Sequence, residues 1–339
     1  MLLYLIRVVR QKCFKQVKNV VKNALEIIRQ IRRETKKWNR DNISRTVFYH
    51  HYYQRNPEIK WAFLASMVSR NAGWSMCDLQ GEWFPKALTK KQLINFFMTY
   101  ERANWTIFDD AAPQLMLYEV SKRRNKPFFD LGQKLGISNF ILQEWEKFFQ
   151  TGDEERLMTA LIINEQHVIE APVMEHHTYA KEVFHSFFFT IQDWFHFSTV
   201  LFPTMRGELY GLSVSRFRHT KDRIELGKKL AKLLFHPTYF EEFYRFATNT
   251  YPTGARFDYE RYMKKKREGK MLRQVYPLIQ HHRKERRDWY HGQRLVKKML
   301  KNDVTLPAEL ALSDWYEKKR SEIRVAVEIE NLLIKKSRR

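Results

Sequence analysis

The chain has 339 residues, a net charge of +23 and 15% aromatic residues, but only 11 glycines and 10 prolines. So few turn-forming residues over such a length imply long elements, and runs alternating apolar and polar residues are almost absent, so an all-α fold is expected and a β-rich one excluded. Two cysteines, Cys13 and Cys77, lie far apart without CxxC or Cys/His spacing, which excludes a disulfide framework and a zinc finger and points to a reducing, cytoplasmic setting.

Phe14, Val17, Val21, Ala24, Ile28 and Ile31 recur at alternating spacings of three and four, which predicts one amphipathic helix over 3–37 with a narrow apolar seam and a basic remainder. Such a helix docks on the body, pairs with another helix or lies on an anionic membrane. The opening MLLYLI is too short for a signal-peptide core and is followed by Arg7 and Arg10, so no cleaved leader is expected. Residues 1–40 form a basic N-terminal unit; 41–335 form a single all-helical domain with a basic C-terminal region from about 261. The whole is a multi-helix globular bundle.

Asp41 or Asn42 caps a second helix over 43–55. Asn56, Pro57 and Glu58 then open a helix with no charge from Trp61 to Val68, and small residues at Ala62, Ala65, Ser66 and Ser69 let neighbouring helices approach. Its end carries Arg70, Asn71, Gly73 and Trp74, with Gly73 read as the stop of the helix and a loop following to Leu88. A guanidinium placed there requires a carboxylate, several carbonyls or an anionic ligand, because an unpaired buried charge is costly.

The run from Asn42 to Gly81, NISRTVFYHHYYQRNPEIKWAFLASMVSRNAGWSMCDLQG, resembles the YppC-like family, a domain of unknown function from bacilli and their relatives. The resemblance extends over much of the chain. It implies a bacterial, intracellular protein and supplies no activity, ligand or catalytic residue.

Thr89 caps a helix to about Arg102, and Asp109 and Asp110 open another to Arg124 beyond Ala-Ala-Pro. Ser138 caps 139–150 after a stop at Gly136, and helices over 153–171 and 173–201 are broken at Pro172. A loop with Gly207 and Gly211 follows; Thr220 opens a helix to Phe235, and Pro237 starts one to Asn249. YPTGARFDYERYMKKKREGK, 251–270, reads as a surface loop, and 270–301 and 307–335 read as basic helices. Gln192, Asp193, His185 and His196 interrupt the Phe-rich run 183–205, so no transmembrane span is expected.

At 100° per residue, Glu175, Glu182, His185, Phe189, Asp193 and His196 share one side of the 173–201 helix, opposite a stripe of phenylalanines. The two acid-x-x-His pairs, Glu182/His185 and Asp193/His196, sit about 16 Å apart along one helix and cannot share a di-metal centre of the kind whose pairs come from two helices. Glu165, His167 and Glu170 on the preceding helix offer a mixed site in which Glu165, Glu182 and His185 would suit zinc, iron or manganese. The same stripe also fits a plain amphipathic helix, or supplies, as Glu182 or Asp193, the acid that Arg70 or Arg45 requires. Arg45, Arg70, Asn71, Trp74 and Asp193 are thus candidates for a ligand site or a structural ion pair. No P-loop, GxSxG, GxGxxG or HExxH is present.

Residues 1–40 carry twelve Lys/Arg against two acids, and 261–301 carry fifteen against three. This pattern predicts a non-enzymatic protein, without a cofactor, whose basic ends meet an anionic partner, either nucleic acid or the inner face of the membrane. The contact candidates are Arg7, Arg10 and Lys12 at one end, and Lys264, Lys265, Lys266, Arg267, Arg283, Lys284, Arg286 and Arg287 at the other. The basic residues around His281, His282, Trp289 and Tyr290 are interleaved with aromatics, as in proteins that stack bases. A protein partner is a further option, and the alternative function is a metal-dependent enzyme at the Glu/His site, using a divalent transition metal.

Overall fold

The computed structural model describes residues 23–174, 199–213, 219–264, 269–283, 287–292, 294–322 and 324–325. The acid and His stripe with Glu182, His185 and Asp193, and the terminal cations Arg7, Arg10 and Lys12, lie outside these residues, as do Lys265, Lys266, Arg267, Lys284 and Arg286. The described part is predominantly helical with one small two-stranded sheet. Among the described residues no helix is long and apolar enough to cross a membrane.

Helix α1 spans 23–38, and its described seam behaves as the periodicity requires, with Ile27, Ile28 and Ile31 buried and the cations outward. Asp41 caps α2 (Asn42–Arg55) by accepting from the Ser44 amide at 2.8 Å. Helix α3 (Lys60–Asp78) forms the centre of the protein, packing on α2, on α5 and on later elements, with Trp61, Ala62, Phe63, Met67 and Trp74 essentially inaccessible.

Two expectations about helix ends fail here. Gly73 does not stop α3; it lies inside the helix, where a Cβ would meet the Gly254 Cα at an ordinary contact distance of 3.4 Å. After the short α4 (Phe84–Ala87), Thr89 caps as predicted, with Gln92 completing a capping box, but α5 runs unbroken from Lys90 to Arg124 through Pro113. Proline inside a helix removes one hydrogen bond and costs about 3 kcal/mol. Burial of Phe108, Ala111, Ala112, Leu115 and Leu117 on the same helix outweighs that loss.

A 3-10 turn (Phe129–Leu135) ends at Gly136, whose φ of +72° is the left-handed stop the sequence implies. Ser138 caps α6 (Asn139–Thr151), and α7 (Glu154–Val168) follows, capped by Asp153 and ending in a π turn (Glu170–Met174).

Where helix and loop were expected, 199–213 is an antiparallel hairpin of β1 (Thr199–Pro203) and β2 (Leu209–Ser213), in register from Thr199 opposite Ser213 to Pro203 opposite Leu209. Gly211 permits the pairing, since a Cβ there would collide with the Val200 carbonyl. The remaining helices are α8 (Thr220–Leu234), α9 (Phe240–Asn249), α10 (Phe257–Glu260), α11 (Leu272–Val275), α12 (Arg294–Lys301) and α13 over 313–322.

The basic C-terminal third differs most from expectation. Asp258, Tyr259 and Glu260 of the supposed surface loop are buried against α3. The segment 270–301 is largely extended rather than one helix: Pro277 follows α11, and side-chain pairs then tether the backbone. Arg273 reaches Asp41 at 2.6 Å, His281 reaches Glu101 at 3.3 Å, and Asp288 accepts from Ser138 and the Asn139 amide at 2.7 and 2.9 Å. Residues 310–312 pair with β2 before α13 begins, with the Gly211 amide donating to Leu310 and the Leu312 amide to Leu209.

Candidate anion-binding cleft

The junction of α1 and α2 is built around one buried arginine. Arg45, 1% exposed, donates to Asn39 Oδ1 at 2.7 Å, to Asn42 Oδ1 at 2.6 Å and to both Glu101 carboxylate oxygens at 2.9 and 2.6 Å. Its acid is therefore on α5, where the sequence offered no reason to look. Burial pushes the Glu101 carboxyl up, but Arg45 and His281 together hold it below the usual carboxylate range. Asn39 also donates to the Trp105 carbonyl at 3.0 Å, fastening the end of α1 to the same helix.

In front of this junction lies a cleft of about 940 Å³. It is lined by Arg32 and Lys36 of α1, by Arg40 just past the helix end, by Lys134 of the 3-10 turn and by His282 and Arg283 of the extended segment. Trp105, Pro113 and Leu278 also line it. Among the described residues Asp109 is the only acid lining the cleft, and Arg283 pairs with it at 3.3 Å while donating to the Leu135 carbonyl. Arg32 closes the rim by donating to the Lys134 carbonyl at 2.8 Å. Trp105 is framed by the Arg102 guanidinium at 4.8 Å and the His281 ring at 5.1 Å. Cations from the two basic regions of the sequence thus face one recess.

Arg70, Asn71 and Trp74 take no part in it. Arg70, 2% exposed, donates to the Thr250 and Ala247 carbonyls at 2.7 and 3.4 Å and lies over the Phe246 ring, so it caps the C-terminal, negative end of α9. Carbonyls, rather than an acid, satisfy it, although its Nε has no hydrogen-bond partner; burial depresses its pKa to about 10. Asn71 donates to the Leu201 carbonyl at 2.7 Å, holding β1, and Trp74 donates to Asp258 at 3.1 Å, holding α10. The three residues fasten three elements to the end of α3.

Glu165 accepts from Trp61 Nε1 and from Gln166, each at 3.1 Å, and enclosure pushes its pKa up to about 7. His167 stacks on Trp289 with ring centres 4.2 Å apart, while Glu170 is taken up by Arg223 at 2.5 Å and Thr220 at 2.8 Å. Among the described residues no group of three His, Cys, Asp or Glu side chains could hold a metal ion. Trp289, grouped in sequence with the basic stacking residues, instead packs on Phe140 and donates to Asn164 at 3.1 Å. Of the described C-terminal cations, Arg283 lines the cleft, and Lys264 and Arg287 are exposed elsewhere.

A second recess of about 590 Å³ holds a charged network that sequence reading missed. Arg256 pairs with Asp78 and donates to Tyr259, Tyr316 donates to Glu260 at 2.7 Å, and Arg320 pairs with Glu260. Its members come from three distant stretches of chain, so no local spacing marks them.

The model for the family described as "Protein of unknown function (DUF2515)" matches residues 37–317. "Uncharacterized protein YppC" of Bacillus subtilis (strain 168) is 46% identical over 312 residues, covering 91% of this chain and 97% of that protein. No solved structure matches. With a family model spanning most of the chain and a relative of this similarity over nearly its full length, the protein belongs to the DUF2515 family.

Proposed function

We propose that the protein binds an anionic partner at the cleft between α1 and the segment 278–283, inside the cell and without chemistry of its own. The observation that carries this reading is the convergence of Arg32, Lys36 and Arg40 from one basic region and His282 and Arg283 from the other on the same recess, with one acid among its described lining residues. Like charges gathered in a concavity focus the field and raise the local concentration of a polyanion. The net charge of +23 acts in the same direction at longer range. Nucleic acid and the headgroups of an anionic membrane are the two partner classes this charge suits. Co-sedimentation with phosphatidylglycerol vesicles and titration with labelled oligonucleotides, each at two salt concentrations, tests the reading; binding should weaken steeply with salt, and failure to bind either would end it.

A second reading, acid/base or metal chemistry at Glu165, draws on the carboxyl poised near neutrality. Elemental analysis of the purified protein, with stability measured in added zinc, manganese or iron, addresses it.

A further inference from the structure

The geometry points to a single strand of nucleic acid as the partner, lying along the cleft with successive phosphates on the row Arg32, Lys36, Arg40; this inference rests on the anion-binding reading above. Arg32 and Lys36 stand at i and i+4 on α1, about 6 Å apart along its axis, and Arg40 follows in the turn just past the helix end. An extended strand presents its charges in series, one per nucleotide, and a linear row of cations meets such a chain along its length. Lys134 and Arg283 line the same cleft. A planar membrane meets the rim of a recess rather than its interior, and a recess of about 940 Å³ is small for a duplex.

The apolar surface of the cleft distinguishes a nucleic acid from a bare phosphate polymer. Leu278, 47% exposed, offers apolar surface where bases would lie, with the buried Trp105 and Pro113 lining the cleft behind it. Polyphosphate has nothing to place against them, whereas a base loses unfavourable apolar contact with water there. Because Trp105 is buried, with Arg102 and His281 against its ring, bases meet apolar surface without stacking on it, and little sequence preference follows. The volume of about 940 Å³ accommodates a few nucleotides.

The test is fluorescence polarisation of the full chain with a labelled single-stranded oligonucleotide, comparing Lys36→Glu/Arg40→Glu with Arg33→Glu/Lys37→Glu. Both pairs make the same change in charge on exposed residues at the C-terminal end of α1, but Arg33 and Lys37 do not line the cleft. The cleft pair should lose at least about tenfold in affinity, with a salt slope reduced by roughly 0.7 per lost phosphate contact, and the control pair less than about threefold. Lys134→Glu, in the same cleft, should behave as the cleft pair does and reports independently if that pair unfolds on heating earlier than wild type. Equal losses in both pairs overturn the placement in the cleft. Tight binding to phosphatidylglycerol vesicles without oligonucleotide binding overturns the inference and leaves the anion-binding reading standing; so does inorganic polyphosphate binding as tightly as the oligonucleotide. Binding to none of the three overturns both.

Discussion

Arg45 and Glu101, 56 positions apart, form a two-pronged ion pair at 2.6 and 2.9 Å with their side chains 1% and 4% exposed. The pair ties α2 to α5 directly behind the cleft, and Glu101 in turn holds His281 at the cleft wall.

Removing one partner of such a pair leaves the other buried and uncompensated, at a cost of about 3–5 kcal/mol. Glu101→Leu and Arg45→Met should each destabilise the fold by that amount in urea unfolding, while the double replacement recovers a large part of the loss. A double variant that loses the sum of the two single losses would show that the pair contributes nothing as a unit.

His50 is buried on α2 against Phe63 and Tyr244, with neither ring nitrogen hydrogen-bonded. Burial, then the Arg70 guanidinium and His51, lowers its pKa to about 4. The folded state therefore resists a proton that the unfolded chain accepts near pH 6.5, so stability is full above that pH and is lost as pH falls towards 4, by up to about 3 kcal/mol. His50→Phe should flatten this part of the pH profile relative to wild type, measured as unfolding midpoints between pH 7 and 4.

Glu165 has the opposite dependence. Its folded pKa of about 7 stands above the ordinary glutamate value of 4.5, so its burial is harmless at pH 4.5 and increasingly costly as pH rises through 7. Glu165→Gln retains an acceptor for Trp61 and should stabilise the protein at pH 8 by up to about 3 kcal/mol, with little change at pH 4.5. Equal effects at the two pH values would refute the assignment of a buried titrating carboxyl.

Gly73 and Gly254 approach each other but respond differently to a methyl group. Gly73 is helical and a Cβ there meets only ordinary contact at 3.4 Å, so Gly73→Ala should be neutral or stabilise by up to about 1 kcal/mol. Gly254 has φ of +77° and a Cβ there would lie 2.6 Å from the Leu272 Cβ. Gly254→Ala should therefore destabilise by about 1–3 kcal/mol, and thermal unfolding separates the two.

What was legible in the linear chain is what is decided within a few residues. The caps at Asp41, Thr89 and Ser138 and the left-handed stop at Gly136 depend on hydrogen bonds to neighbours three or four positions away, and the Ile28 and Ile31 seam on the helical period. The excess of positive charge at both ends was equally plain. Tertiary structure alone decided where those charges meet, because Lys36 and Arg283 share a cleft only once α1 and the extended segment have packed on α5. It also decided that Arg70 is answered by the Thr250 carbonyl 180 positions on and Trp74 by Asp258 at a separation of 184. Pro113 continues a helix and 199–213 forms a hairpin for the same reason: burial against distant partners outweighs the local preference that a sequence window reports.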